Sequence, residues 1–564
     1  MITDPVYGLP NPVTCVTGRA TTSSAKILVA SLTSAPVTVT VNGINYVSGV
    51  DFTLTGRGSP VVVYTGLLEV TGLTEFTRYS WSATNGTDSD SGSFLVEPTS
   101  GQEFQFEFCG CDNNTTFIHA SVGNTWRIPG QWQNIKTQAV AATPPMAGVA
   151  FVDDLGYVSR LSVDDTANSG LAMTGAPNAN ASYQTLNNYL IGWCALLGML
   201  GPNRTSFTAE ELAETANNSI LQVLWAREEN RSWCRKNLNM WTQWGDWEFK
   251  SDMGWDAQPT GDAWTNGKAA WECFYGLIKP DLDGITPRDV SAKHWCFKIG
   301  DVVIASLDGV TNASRTWGSN AVPNGISTSN SAGLTQFTTI YGNNQIDDVL
   351  ESIATLAGRA TVLCLAHGIR YLVARTGSTP PHAFTALVDE YSTGTQHPIY
   401  DHCLADYQRI FTRTGATPAS LMDSVVTNGN SGTLLVVMGD WHHGMVYKFQ
   451  HAAYTGNAAE NFYGVCLGGT NGSAYLSNLS AYTTGDTVAS IYIESDASSN
   501  DTNPGFHGLT IKRDGVWLTV NHTQSDIYNE YDNTVLWNKK FMPKSANFAF
   551  ESEWEIPNCG MSSS

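Results

Sequence analysis

Residues able to ligate a metal ion follow one apolar run after another in this sequence. The segments that close five such runs are CGCD (109–112), DDLGY (153–157), DG (308–309), HG (367–368) and DWHHG (440–444). Thiolates, carboxylates, phenolates and imidazoles are the side chains with which proteins hold iron, manganese, zinc or calcium. Layered α/β folds bind ligands just beyond the carboxyl ends of their strands. The pattern therefore favours a metal site shared by several strand ends.

The spacing of Asp440 and His442 supports this hypothesis. In an extended segment residues i and i+2 face the same way, so both side chains can point at one ion. A carboxylate and an imidazole together suit Fe, Mn, Zn or Ca. Asp246 lies in a sixth segment, WGDWE (244–248), which closes a predicted helical region.

Each of these signals also has an ordinary structural explanation. A lone aspartate after a strand commonly caps a turn, which applies to Asp154. Tyr157 and His367 fit a core as well as a site, and Cys109 fits buried packing. Five such endings in one domain favour a metal site over five unrelated caps, but spacing alone leaves both explanations open.

Two patterns divide the chain. Residues 1–99 contain short β-branched runs separated by Gly, Asn, Asp and Pro turns, typical of a fibronectin- or immunoglobulin-like sandwich of about seven strands. After a linker at 97–101, strand-like runs alternate with helical stretches, which predicts an α/β domain over 100–545. The segment 546–564 has no clear period and is interpreted as a tail. Helices are predicted over 183–199, 208–241, 268–278 and 344–357.

The composition excludes several classes of protein. Hydrophobic residues make up 42% of the chain, which excludes wholesale disorder. A net charge of −21 with no basic patch argues against binding to nucleic-acid backbones or anionic membranes. No stretch is long and apolar enough to span a bilayer, and no signal peptide is visible. The G-x-S-x-G, Walker A and H-E-x-x-H motifs are absent, so serine-hydrolase, P-loop and zincin functions lose their main support.

The order of the motifs resembles that of the PhoD-type alkaline phosphatases, within the calcineurin-like metallophosphoesterase superfamily. The segments that carry the resemblance are FQFEFCGCDNN, FVDDLGYVS, WTQWGDWEF, VVMGDWHHG and GFHGLTIKRDGVWLTVNHT. They occur in the family's order from about residue 60 to about residue 525.

The resemblance implies a layered αββα sandwich preceded by a fibronectin-like domain. It implies hydrolysis of phosphate monoesters or diesters by a metal-activated hydroxide. The family's metals are Fe(3+) and Ca(2+), with other divalent metals as alternatives. The metal ligands carried over from the motifs are Cys111, Asp154, Tyr157, Asp246, Asp440 and His442. Among them, Cys111 and Tyr157 suit the iron.

This sequence departs from the family's pattern at two places. In the segment W-D-D-H-E, Gly245 replaces the first Asp and Trp247 replaces the His, a candidate acid for the leaving group. That role then passes to His367 or His443. Val310 stands where an Arg is expected, although Arg315 follows and is the candidate in its place.

These departures motivate an alternative hypothesis. The chain would then be a structural, adhesive or virion-associated protein that keeps the fold with an altered or inactive site and assembles with other chains. The family is usually exported, whereas this alternative places the protein in a virus particle, and the sequence leaves the location open. A carbohydrate-binding β protein that uses the many tryptophans is a third hypothesis, which the strand-end pattern does not require.

Overall fold

The structure is a computed structural model. It describes residues 13–57, 63–110, 130–141, 143–152, 229–245, 268, 271–311, 341–358, 360–366, 387–388, 396–397, 409–410, 434–439, 445–451, 462–467, 489–496, 505–514, 517–526, 533–541 and 553–555.

The first part of the chain forms two four-stranded antiparallel sheets. Its strands are β1 (Val13–Ala20), β2 (Ser24–Ser31), β3 (Thr38–Val41), β4 (Ile44–Val47), β5 (Thr55–Arg57), β6 (Val63–Thr71), β7 (Arg78–Thr84) and β8 (Ser89–Leu95). One sheet has the order β1-β2-β6-β5 and the other β4-β3-β7-β8. Residues of β7 are alternately exposed and buried, as expected for a strand with one face on a core. That core includes Val29, Trp81 and Phe94.

The remaining described chain contains helices and further strands. The helices are α1 (Gly130–Ala141), α2 (Glu229–Asn237), α3 (Tyr275–Ile278) and α4 (Asn343–Leu356). The strands are β9 (Phe104–Cys109), β10 (Met146–Phe151), β11 (Asn239–Trp241), β12 (Trp295–Ile299), β13 (Val302–Leu307), β14 (Ala360–Leu365), β15 (Leu387–Val388), β16 (Gln396–His397), β17 (Leu434–Met438), β18 (Met445–His451), β19 (Phe462–Cys466), β20 (Ala489–Asp496), β21 (Gly505–Asp514), β22 (Trp517–Asp526), β23 (Asn533–Phe541) and β24 (Glu553–Glu555).

Most of these strands form two seven-stranded mixed sheets. The first sheet has the order β11-β10-β9-β21-β22-β23-β24, in which β9, β10 and β11 are parallel. The second has the order β12-β13-β14-β17-β19-β18-β20, in which β13, β14, β17 and β19 are parallel. Strands β10, β13 and β14 are buried along their whole length, which explains why they read as continuous apolar runs.

The two large sheets face each other across a shared core. Phe106, Phe108 and Trp241 of the first sheet pack with Phe297 and Val437 of the second. The other face of the first sheet is covered by α1, α2 and α3. On the second sheet, α4 packs against β12 and β13. The result is a helix–sheet–sheet–helix sandwich, the layer order expected from the sequence.

Three predictions of secondary structure need correction. The helix predicted over 208–241 ends at Asn237 in the structure, and Asn239–Trp241 form strand β11 beside β10. Burial of all three residues in the first sheet overrides their helical periodicity. The helix predicted over 268–278 is interrupted by a turn at 273–274. In the predicted tail, Glu553–Glu555 pair with β23. The helix predicted over 183–199 lies outside the described residues.

The small sandwich and the large one are joined by a continuous core. Val16 and Leu28 of the small sandwich belong to the same buried cluster as Trp132 of α1 and Ile278 of α3. The linker predicted at 97–101 is not a free tether, because Glu97 is only 2% exposed and pairs with Arg19. Within the described residues, no helix combines the length and the apolarity that crossing a membrane requires.

Candidate metal centre at the strand ends

Strand ends from the two large sheets meet at one place. Gly110 follows β9 and Gly439 follows β17, and a Cβ placed on Gly110 would lie 3.9 Å from the Cα of Gly439. The same Cβ would lie 3.9 Å from the Cβ of Leu467, which follows β19. Val152, which follows β10, donates its N–H to the carbonyl of Cys109 at 2.9 Å. The chain segments that follow β9, β10 and β17 therefore all begin in one small region.

The residues predicted to ligate metal or act in catalysis lie just outside the described residues. They are Cys111, Asp154, Tyr157, Asp246, Arg315, His367, Asp440, His442 and His443. Four of them directly follow described strand-end residues: Gly110, Gly245, Ala366 and Gly439 precede Cys111, Asp246, His367 and Asp440. In the described part of the chain, no three His, Cys, Asp or Glu side chains are close enough to hold a metal ion.

Cys109 and Asp308, which also belong to the strand-end pattern, are structural residues. Cys109 is fully buried in the core between the first sheet and its helices, beside Trp132. Asp308 caps the turn after β13, since its Oδ1 accepts the backbone N–H groups of Val310 at 2.8 Å and Thr311 at 3.0 Å. The ordinary explanation of a strand-end aspartate therefore applies at this position.

Further donors complete the environment of the Asp308 carboxylate. Oδ1 also accepts the indole N–H of Trp244 at 2.7 Å, and Oδ2 accepts the backbone N–H of Lys293 at 2.7 Å and the hydroxyl of Thr311 at 2.6 Å. A carboxylate has about four lone-pair positions, and five donors already point at this one. Asp308 has no oxygen left over for a metal ion.

The segment that leads to Asp246 is held against the second sheet by side chains. The indole N–H of Trp295 donates to the carbonyl of Thr242 at 3.0 Å. The side-chain amide of Gln243 donates to the hydroxyl of Ser306 at 3.1 Å and accepts the backbone N–H of Trp244 at 3.0 Å. This segment comes from the first sheet, so these bonds join the two sheets at the edge where the strand ends lie.

The start of α4 is tied to two strand ends. Asp308 donates its backbone N–H to Gln345 Oε1 at 2.9 Å, and Gln345 Nε2 donates to the carbonyl of Asp308 at 3.0 Å. Tyr341 donates its hydroxyl to the carbonyl of Ala366 at 2.7 Å. Sequence reasoning missed both residues. In the sequence, Gln345 is only a polar residue beside the apolar stripe of α4. A glutamine at such a position is commonly exposed, so the sequence does not indicate that this one is buried and bonded to a strand end.

A buried histidine lies behind this edge. Nε2 of His294 is 3.0 Å from Oδ2 of Asp348 on α4, and both side chains are almost fully buried. Burial lowers the pKa of His294, against the opposing effect of the Asp348 carboxylate. The neutral form of the His294 imidazole is therefore favoured in the folded protein. Burial also lowers the pKa of Lys279, to about 8.

Comparison with known proteins defines the fold. No protein-family model and no curated protein sequence matches the chain. The solved structure of PhoD aligns with 99% of this chain and 94% of its own, with a TM-score of 0.57 and 10% sequence identity. A purple acid phosphatase from yellow lupin (Lupinus luteus) seeds aligns with 94% of this chain and 75% of its own, with a TM-score of 0.49 and 11% identity.

The chain has a PhoD-like fold. At this level of identity the likeness concerns the fold alone. It confirms the layered α/β part of the fold class that the motifs implied, whereas the fibronectin- or immunoglobulin-like character of the small sandwich stays a prediction.

Proposed function

We propose that this chain hydrolyses phosphate esters, monoesters or diesters, at a metal centre formed where the strand ends meet. The observation that carries the proposal is the contact of Gly110 with Gly439, across two facing sheets. Cys111 and Asp440 are the next residues along the chain, and consecutive Cα atoms are about 3.8 Å apart. A thiolate and a carboxylate from opposite sheets can therefore reach a common ion. The PhoD-like fold supports the same proposal.

The donor set fits the proposed metals. Cys111 and Tyr157 would hold Fe(3+), because thiolate and phenolate are its suitable ligands in this set. Asp154, Asp246 and Asp440 would bridge to or hold Ca(2+), which prefers carboxylate oxygens, and His442 would complete the set. Such ions, when bound, acidify water and stabilise negative charge on phosphoryl oxygens.

The glycines at the meeting point also fit a bound ion. A Cβ on Gly110 would occupy the space between Gly439 and Leu467 at ordinary contact distance. Because neither glycine has a side chain, nothing from these two residues fills the region from which the ligand-bearing segments depart.

Protein residues would supply the remaining steps. We assign the proton donor for the leaving-group oxygen to His367 or His443, because Trp247 replaces the histidine that the resemblance expects there. A histidine suits proton transfer near neutral pH. The Tyr341 hydroxyl donates to the carbonyl of Ala366, the residue before His367 in the chain. Arg315 would contact the phosphoryl oxygens.

The test is hydrolysis of an aryl phosphate monoester and diester by the full chain supplied with iron and calcium. Asp440→Ala is expected to lower kcat/KM by at least about a hundredfold, since it removes a metal ligand while leaving the fold intact. Asp281→Ala is the matched control: this carboxylate is 61% exposed and forms an ion pair with Lys26 at the surface. Full activity in Asp440→Ala would contradict the proposal.

The structural or virion-associated alternative has one observation in its favour. Gly245 is buried and has no side chain where the resemblance expects a carboxylate, and Trp247 follows it. Bound iron without turnover of either ester, together with stable assembly with other protein chains, would favour this alternative.

A further inference from the structure

We propose that Asp308 is a positioning residue for the metal centre: through the indole of Trp244 it sets the place of the segment that ends in Asp246. This inference rests on the proposed function, in which Asp246 is a metal ligand. Asp308 itself would not touch the metal, because five protein donors already occupy its carboxylate.

The Trp244–Asp308 hydrogen bond joins the two large sheets, beside the bonds made by Thr242 and Gln243. Trp244 follows β11, an edge strand of the first sheet, and Asp308 follows β13 of the second. Their 2.7 Å bond is buried and is assisted by the carboxylate charge, which makes it stronger than a bond between neutral groups. Only Gly245 separates Trp244 from Asp246, so a shift of the indole is passed along two peptide bonds to the proposed ligand.

Asp308 is itself held in place from three directions. Gln345 on α4 exchanges two hydrogen bonds with its backbone, the turn at 310–311 binds its carboxylate, and the N–H of Lys293 binds Oδ2. The carboxylate is therefore a rigid acceptor for the Trp244 indole. Groups that orient metal ligands in this way commonly change metal affinity when they are removed.

Trp244→Phe tests the proposal, because it removes the N–H donor and keeps an aromatic ring. The matched control is Trp81→Phe, which removes the indole N–H that Trp81 of the small sandwich donates to the carbonyl of Lys236 in α2 at 3.2 Å. Both tryptophans are at most 1% exposed. Ca(2+) is titrated calorimetrically into the iron-loaded full chain, and the melting temperature of each metal-free variant is recorded.

We expect Trp244→Phe to raise the Kd for Ca(2+) roughly tenfold or more. Trp81→Phe should leave that Kd unchanged, even if its melting temperature falls as much as that of Trp244→Phe. Asp308→Asn should weaken Ca(2+) binding in the same direction. The double variant should bind Ca(2+) no more weakly than the weaker-binding single variant, because both substitutions act on the same hydrogen bond: one removes its donor and the other removes the charge of its acceptor.

Three outcomes separate this inference from the proposed function. An unchanged Kd in Trp244→Phe, or equal weakening in Trp81→Phe, would overturn the positioning role and leave the hydrolase proposal standing. A wild-type chain that hydrolyses phosphate esters without binding Ca(2+) would do the same. A wild-type chain that neither binds Ca(2+) nor hydrolyses the esters would overturn both.

Discussion

Residues of the same chemical type have different roles in this protein because their surroundings differ. Asp308 is saturated by five donors and organises a turn. Asp348 is buried beside His294 and also accepts a hydrogen bond from Arg288 at 2.6 Å. The sequence offered turn capping as one explanation of a strand-end aspartate such as Asp308, but it gave no sign of the pairing of Asp348 with His294.

At this scale we expect His294 to make stability depend on pH. Burial lowers its pKa in the folded state, with Asp348, Asp308 and Lys279 as the charged groups that act on it. Its unfolded pKa is near 6.5, so its contribution to stability is present above that pH and is lost as the pH falls below it. The loss is at most about 1.4 kcal/mol per pH unit for one proton.

Urea unfolding at pH 7.5 and 5.5 checks this expectation against His294→Gln. The variant keeps a side chain that can donate to Asp348 but has no imidazole to protonate. Its free energy of unfolding should fall less between the two pH values than that of the wild type. Equal falls in the two proteins would show that His294 is not responsible.

Secondary-structure elements differ in how far their own residues determine them. Helix α4 was predicted from an apolar stripe over 344–357 and is observed at Asn343–Leu356. It ends at Ala357, which has φ 48° and adopts the left-handed conformation. Its buried side also carries Gln345, Asp348 and Ser352, which bond to neighbouring segments. The helix therefore positions strand ends as well as covering a sheet.

At the scale of this element we expect Gln345→Leu to be costly. Leucine would leave the backbone N–H and carbonyl of Asp308 without the partners that Gln345 supplies. Unsatisfied buried polar groups cost about 1 to 3 kcal/mol each, so the free energy of unfolding should fall by about 2 to 4 kcal/mol.

Asn344→Leu provides the control, since it introduces the same side chain one residue earlier at an exposed position of α4. Its effect on the free energy of unfolding should stay within about 0.5 kcal/mol. Chemical denaturation of the two variants beside the wild type measures both values. Equal effects would mean that the bonds of Gln345 do not stabilise the strand end.

A buried cation reinforces the continuous core between the two parts of the molecule. Arg19 on β1 donates from Nε to Glu97 Oε1 at 2.9 Å and from Nη1 to Asp283 Oδ1 at 2.7 Å. Its guanidinium also lies 4.5 Å from the centre of the Phe297 ring. One side chain of the small sandwich therefore contacts the connecting segment at Glu97 and the large sandwich at Asp283 and Phe297.

At this scale we expect Arg19→Met to destabilise the protein by about 3 to 5 kcal/mol, because it leaves the carboxylate of Glu97 buried without its cation. Lys26→Met is the control within the same junction. The pair of Lys26 with Asp281 is largely exposed, so its loss should cost no more than about 1 kcal/mol. Urea unfolding followed by tryptophan fluorescence measures both, and comparable losses would contradict the role given to Arg19.

The sequence by itself determined the elements whose signal is local. The largely apolar runs at 104–110, 146–152, 301–307, 360–366 and 433–439 became strands β9, β10, β13, β14 and β17, because strands buried on both faces are rich in apolar residues. The motif order also indicated the layered α/β architecture that the PhoD-like fold confirms. The predicted ligands Cys111, Asp154, Tyr157, Asp246, Asp440 and His442 stay predictions.

Only the tertiary structure decided how distant segments meet. Asn239–Trp241 became a strand because β10 offered an unpaired edge, although their own pattern indicated a helix. Gly110 came to lie against Gly439, and Trp244 against Asp308, 64 residues further along the chain. Periodicity reports which face of an element is buried, but it carries no information on which partner buries it. The partner is set by packing and hydrogen bonding between residues far apart in sequence, which is why the meeting of the strand ends appears only in the folded chain.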